Sequence, residues 1–388
     1  MGYSGGGGGG GGGSGGGYGG GGAAGGAAAG GAAGASGGAG RVQKDDGLKV
    51  NSITDKSGTS GPVIAGVSTN ASSGCMIIPK GPTEHRGGRG RAVFAAGLTP
   101  SYSKTMDKVE IATTGNATDF GDSSSVHNPN GGTGMCNSTR GVYNQGHTPT
   151  FVSTIDYVII SSSGGANDFG ETTVVKKETN RLSNATRGLI FGGRPIDTLT
   201  PETDVIEFIT IASTGNGIGF GSLLQAARGL GGVGNATRGL IGGGYNGSSY
   251  INTIEFVTIA TTGNSQDFGD LSAAKMNVAA VGSGTRAVFG GGYTSNPHIN
   301  SLEYVEFDTR GNVTDFGDLS TGGGDRGATS NNIRGVFGGQ FSGSSPNRLN
   351  NIEYITIASV GNATDFGDLT ETRSGSVGLG DAHGGLSR

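Results

Sequence analysis

The feature that most limits what this chain can become is a recurrence of about 48 residues running through its last three quarters. One marker is an arginine, a small residue, two apolar residues, then glycine or a near substitute. It begins at Arg91, Arg140, Arg187, Arg238, Arg286 and Arg334, at intervals of 49, 47, 51, 48 and 48 residues. A second marker is a Phe-Gly pair at Phe120, Phe169, Phe220, Phe268, Phe316 and Phe366, at intervals of 49, 51, 48, 48 and 50. Two unrelated markers on one period mean a supersecondary unit copied in tandem, each copy covering its apolar face only against a neighbour.

The fifth unit shows what that copy is. Val278-Ala279-Ala280-Val281 reads as a short apolar strand, and Arg286-Ala287-Val288-Phe289 as a second that ends in Gly290-Gly291-Gly292. Leu302, Tyr304 and Phe307 mark a third, interleaved with Glu303 and Glu306. After a turn at Gly311-Asn312, Asp315-Phe316-Gly317-Asp318-Leu319 makes a short outer strand. Four short strands in this span make one blade of a β-propeller. The chain is therefore expected to be all-β, with six blades over 91–388. The run Ser376-Val377-Gly378-Leu379-Gly380 repeats the first strand of a unit with no unit after it. It is expected to pair beside the strand that begins near Arg91 and close the ring. A seventh blade drawing on residues 60–80 is the alternative count. The aspartates around Phe-Gly are expected to cap turns.

Glycine supplies 85 of the 388 residues, and part of that excess lies outside the repeats. Residues 1–40 are almost all Gly, Ala and Ser, with too little apolar surface to offset the entropy of ordering them. They are expected to be a disordered tail. Residues 41–90 are a non-repeating leader with short strand-like runs at Val63-Ile64 and Met76-Ile77-Ile78.

The net charge of −4, with 14% charged residues, leaves no basic stripe for nucleic acid. Arg86-Gly87-Gly88-Arg89-Gly90-Arg91 is read as a turn entering the first blade. No apolar run reaches the length of a membrane span. Cys75 and Cys136 read as two lone, half-buried thiols. The five histidines lack ligand spacing, so no metal is expected, and His298 is placed in an exposed loop. The recurring Asp-Phe-Gly has no kinase lysine strand or His-Arg-Asp loop beside it. The Asn-x-Ser/Thr sites at Asn116, Asn184, Asn235, Asn312 and Asn362 read as turn asparagines. Acidic pairs such as Asp119/Asp122 and Asp365/Asp368 recur with the repeat and read as solvated turn residues. No carboxylate pair stands apart from the repeat, so neither an enzyme nor a cofactor is expected.

The units resemble kelch repeats. The double glycines are read at Gly192-Gly193, Gly242-Gly243, Gly290-Gly291 and Gly338-Gly339. Ala95-Ala96 and Asn144-Gln145 stand in their place in the first two units. Tyr157, Phe208, Phe256, Tyr304 and Tyr354 mark the aromatic strand. Phe268, Phe316 and Phe366 replace the usual tryptophan, three residues before Leu271, Leu319 and Leu369. The run from Asn350 to Leu369 and the leader from Val50 to Pro62, with Ile78-Pro79-Lys80-Gly81, are similar to virion structural proteins of tailed phages of marine bacteria, cyanophages included. That resemblance implies a tail-fibre or appendage component, made in the bacterial cytoplasm and carried in the virion. It would contact other virion proteins, form a homo-oligomer, and bind a host-surface glycan or protein. A capsid decoration protein and a carbohydrate-active propeller are the alternatives.

Repeat proteins place variation where they bind. The loops at Thr99–Lys104, Thr148–Ser153, Arg194–Thr203, Tyr245–Tyr250, Tyr293–Ile299 and Gln340–Asn350 vary most and should emerge on one face. Tyr245, Tyr250, Tyr293, His298, Phe341 and Arg348 are the candidate ligand-binding residues, since aromatic and arginine side chains commonly anchor interfaces.

Overall fold

The computed structural model describes residues 90–386 except 148–149, 197–200, 295–297 and 344–345, together with the backbone of three short strands at Val63–Ile64, Val67–Asn70 and Cys75–Ile77. The glycine-rich tail and the Arg86–Arg89 run lie outside the described residues. The chain divides into two units, Met1–Pro79 and Lys80–Arg388. In the first, the three strands form an antiparallel sheet in chain order.

The second unit is a six-bladed β-propeller of four-stranded antiparallel sheets. Blade I joins Val377–Gly380 to Arg91–Leu98, Tyr102–Glu110 and Thr118–His127. Blades II to VI follow in order at 135–171, 180–222, 231–270, 279–318 and 327–368. The three described strands within residues 60–80 form a sheet of their own, so the described blades number six and not seven. The closing strand pairs Val377 with Ala95 and Gly380 with Ala92, so the two ends of the repeat share one blade. No helix among the described residues is long and apolar enough to cross a membrane.

Packing dictates small residues near the axis. The innermost strands of blades III to VI and the closing strand are four residues long and fully buried. A Cβ added at Gly378 would lie 2.2 Å from the Ala328 carbonyl oxygen of the neighbouring blade. Farther out, apolar side chains interleave between blades. Leu182, Phe191, Phe220, Leu230 and Ile241 join blades III and IV, while Phe94, Val336, Ile352 and Phe366 join VI to I.

The arginine marker proves to be a ring of staples. Arg91, Arg140, Arg187, Arg238, Arg286 and Arg334 each donate from Nη1 to a carbonyl at the end of the third strand of the next blade. Arg334 completes the circle at Ile111 and Ala112 of blade I. In blades II to VI the guanidinium also lies over the aromatic ring of its own third strand, 4.3 Å from Tyr304 in the case of Arg286.

The Phe-Gly marker is a second inter-blade joint. The phenylalanine is buried, and its carbonyl accepts from a turn glycine of the next blade, as Phe316 does from Gly361 at 2.7 Å. The amide two residues on is held by the asparagine beside that glycine, Asn362 Oδ1 to Asp318 N at 3.0 Å. Asn116, Asn216, Asn264 and Asn312 make the same bond in their blades. The amide-binding side chain is thus the neighbour's asparagine and not the expected aspartate, since Asp315 and Asp365 are exposed. Asn184 and Asn235 cap the turns before Arg187 and Arg238 through their own Oδ1.

Each third strand also buries one carboxylate: Asp107, Asp156, Glu207, Glu255, Glu303 and Glu353, none more than 3% exposed. Arg373, Lys176, Lys275 and Arg326 neutralise four of them, with Arg373 Nη2 2.6 Å from Asp107 and Lys176 Nζ 2.8 Å from Glu207. Asp156 is held by Ser124 and Gln145, and Glu255 by Ser265 and the Leu224 amide. Burial without a cation raises the pKa of both. The buried Cys136 thiol, free and 1% exposed, is pushed up to about 12 by the same desolvation. It is a core group, not a half-buried one.

Candidate functional site

The varying loops leave the blades at one face because each follows the second strand of its blade. A left-handed backbone ends that strand, at Gly192 with φ 61° in blade III and Gly146 with φ 73° in blade II. The register read from sequence holds in the first unit, where Ala96, with φ 56°, takes the left-handed position of Gly192 without being glycine; in the second the left-handed residue is Gly146, one place after Asn144-Gln145. Past this turn the first two strands gain one more bridge: Leu98 with Ser374, His147 with Asn128, Tyr245 with Arg228, Tyr293 with Met276 and Phe341 with Gly324. In blade III a short ribbon of Lys176–Lys177 and Arg194–Pro195 replaces it. Leu98, His147, Arg194, Tyr245, Tyr293 and Phe341 thus stand at matched positions around the face. The returning chain sets Tyr102, Phe151, Tyr250, His298 and Arg348 opposite five of them.

The six candidate residues fall on three consecutive blades. Tyr245 and Tyr250 meet edge to face at 5.4 Å in blade IV, with Arg228 5.1 Å above the Tyr245 ring. In blade V, Tyr293 lies 5.4 Å from His298, whose other side faces Phe341 of blade VI at 5.7 Å. Arg348 lies over Phe341 at 5.8 Å. All six are half-buried. His298 is consequently not the exposed loop residue expected; contact between two aromatic rings covers it.

A second cluster carries Tyr102, His147 and Phe151, which sequence reasoning did not single out. Tyr102 Oη is 2.6 Å from His147 Nδ1, and the His147 and Phe151 rings are 4.7 Å apart. Lys177 of blade III lies 5.5 Å from the Phe151 ring. The missed signal is a large planar residue recurring just after the second-strand glycine and again about four to five residues later. Burial lowers the pKa of both imidazoles, and Lys177 adds to the effect at His147. Lowering favours the neutral imidazole, which carries one donor and one acceptor nitrogen, and in His147 the Nδ1 is already taken by Tyr102.

Toward the axis the face becomes polar. One left-handed residue per blade precedes the innermost strand: Asn130, Glu178, Gly229, Asn277, Asp325 and Gly375. That conformation lets backbones bond blade to blade, as from Asn277 N to Gly229 O and from Gly375 N to Asp325 O, each at 2.6 Å. Glu178 and Glu202 grip Arg228, the latter at 3.0 Å, and Asn277 donates to Asp325 and to Tyr293 Oη. Desolvation and the neighbouring Glu178 push Asp325 up to about 7. Burial likewise raises the Tyr293 phenol.

The axis itself is filled. The chain entering blade II runs across it. Gly132 bonds to Arg326, Ala328 and Gly378, and Thr133 Oγ1 to the carbonyls of Arg181 and Gly232 at 3.0 and 2.9 Å. Arg181, fully buried and held among the described residues by neutral acceptors at Asn144, Pro129 and Gly131, pins this segment, and its pKa is pulled down to about 9. At the opposite end His383 Nε2 lies 2.7 Å from the Cys136 carbonyl oxygen, and Leu386 is buried. Between them remains a cavity of about 20 Å³, lined by Ser183, Thr329, Ser330 and His383, with room for about one water. Among the described residues no group of three or more His, Cys, Asp or Glu side chains is placed to hold a metal. The face can stack on flat or apolar surfaces, donate and accept hydrogen bonds, and contact charge.

No family model matches the chain, and no curated protein matches it. Among solved structures, YjhT superposes with a TM-score of 0.54 at 11% identity, covering 66% of this chain and 88% of that one. At that identity the likeness speaks for the fold alone, and the fold it shares with this chain is the β-propeller.

Proposed function

We propose that this chain is a kelch-like structural protein of a tailed phage virion, a tail-fibre or appendage component that binds the host surface and is not an enzyme. The observation that carries the binding part is the concentration of half-buried aromatic side chains, five on blades IV to VI and three on blades I and II, at one end of a rigid disc. Buried polar and apolar joints fix the blades, and variation is confined to the loops that carry these rings. The filled axis supports a surface site over a catalytic channel. The phage assignment rests on the wording of the repeats and the leader.

Two measurements test it. Immunogold labelling of virions should place the chain on a tail appendage; capsid labelling would favour the decoration role. Labelled full-length protein should bind at least one of a panel of marine bacteria, cyanobacteria included, and the pair Tyr293→Ala, Phe341→Ala should abolish that binding. Undiminished binding by the pair would remove this face as the receptor site.

A further inference from the structure

We infer that the ligand of this face is an acidic polysaccharide, held as one chain across two histidine-centred aromatic clusters on blades V, VI, I and II. This rests on the host-binding reading above and specifies its chemistry. Both clusters have one composition and order: tyrosine, histidine, phenylalanine, then a cation over the phenylalanine. Tyr293, His298, Phe341 and Arg348 form one; Tyr102, His147, Phe151 and Lys177 form the other.

Copying of the repeat does not explain the likeness. His147 follows the second strand of its blade, whereas His298 belongs to the chain returning toward the third strand. Tyr102 stands on the returning side, whereas Tyr293 follows the second strand. The same set of rings has been assembled twice from different repeat positions, so a shared ligand accounts for it better than a shared ancestor does. Blade VI adjoins blade I through the Arg334 staple and the packing of Val336 against Phe94, so the four blades form one continuous arc. Leu98 holds the matched position of blade I, opposite Tyr102.

The chemistry of each cluster selects the class. Half-buried rings offer faces and edges to the C–H surface of a sugar. A neutral imidazole beside them offers a donor or an acceptor to hydroxyls. Arg348 and, on the ribbon next to the second cluster, Arg194 form no ion pair among the described residues, and Lys177 is shared with Glu178 at 3.2 Å. These cations complement carboxylate or sulfate groups on the ligand. Single-stranded nucleic acid would also stack on these rings, and the oligonucleotide arm of the test below separates it from an acidic polysaccharide. Two linked sites on one polymer raise avidity without any new contact.

The test is affinity electrophoresis and calorimetry of the full chain with alginate, a sulfated galactan, neutral dextran, poly-glutamate and a single-stranded oligonucleotide. Alginate or the sulfated polymer should bind at least tenfold more tightly than dextran, poly-glutamate or the oligonucleotide, and more weakly as salt rises. Phe341→Ala and Phe151→Ala should each weaken polymer binding about tenfold. A disaccharide should lose little with either substitution alone, because the other cluster still serves it. Arg348→Gln with Lys177→Gln should erase the preference over dextran, with circular dichroism unchanged. Equal binding of dextran, or tighter binding of poly-glutamate or the oligonucleotide, would overturn the inference. So would host-cell binding that neither acidic polysaccharide competes away, which leaves the host-binding reading standing. No binding to any cell sinks that reading instead.

Discussion

At Gly317 the backbone has φ 139°, and a Cβ there would lie 2.5 Å from the Gly361 carbonyl oxygen. Both the conformation and the inter-blade joint exclude a side chain. Gly317→Ala should therefore cost about 2–4 kcal/mol, read as a fall in the denaturation midpoint. A loss below half a kcal/mol would mean that the joint yields. Asp325 carries a pH signature. Its folded pKa of about 7 lies above the unfolded carboxylate value near 3.8. The folded chain holds this proton where the unfolded chain has released it, so stability from this group is present below pH 4 and lost as pH rises through 7. The unfolding free energy of the natural chain minus that of Asp325→Asn should fall between pH 4 and 8. A flat difference would show that Asp325 titrates normally.

The blade's characteristic polar element is the carboxylate on its third strand. In blade V, Lys275 and Glu303 lie 3.2 Å apart, 0% and 3% exposed. Removing one partner strands a charge, whereas removing both strands none. Lys275→Met should cost about 3–5 kcal/mol, and Lys275→Met with Glu303→Leu clearly less. A double-mutant cycle with additive losses would refute the coupling. Blade IV already shows the arrangement without a cation: Glu255 accepts from Ser265 and a backbone amide, and burial raises its pKa. The third-strand pattern Leu302-Glu303-Tyr304-Val305 announced a strand with one polar face. It did not reveal that the glutamate faces inward, because the burying partner comes from the segment at Ser272–Lys275 ahead of the blade.

In the whole molecule, stability depends on closure. Val377–Gly380 supplies the innermost strand of blade I, and Asp381 Oδ1 accepts from the amides of Gly90 and Arg91 at 3.0 and 2.9 Å. Ending the chain after Gly375 leaves Phe94 and Ala95 without a partner strand and opens the ring between blades VI and I. The truncated protein should lose its single cooperative unfolding transition, measured by calorimetry. Retention of a two-state transition within a few degrees of the natural one would show that five blades and a remnant suffice. The Arg staples run around the complete circle, so the damage should reach all blades and not the first alone.

The sequence by itself determined the fold, the repeat period and the closing strand, because period and small-residue placement are local properties of the chain, while six blades against seven was decided by the sheets. It also marked the aromatic arc on blades IV to VI, since loop variation against a constant repeat is visible in one dimension. Only the tertiary structure decided that a second cluster of Tyr102, His147 and Phe151 exists, that Arg181 pins a segment across the axis, and that six third-strand carboxylates are buried. Each of these depends on partners outside the strand concerned, 10 to nearly 270 residues away along the chain for the carboxylates. Such long-range pairing is set by how sheets stack around an axis, and no short window of sequence records it.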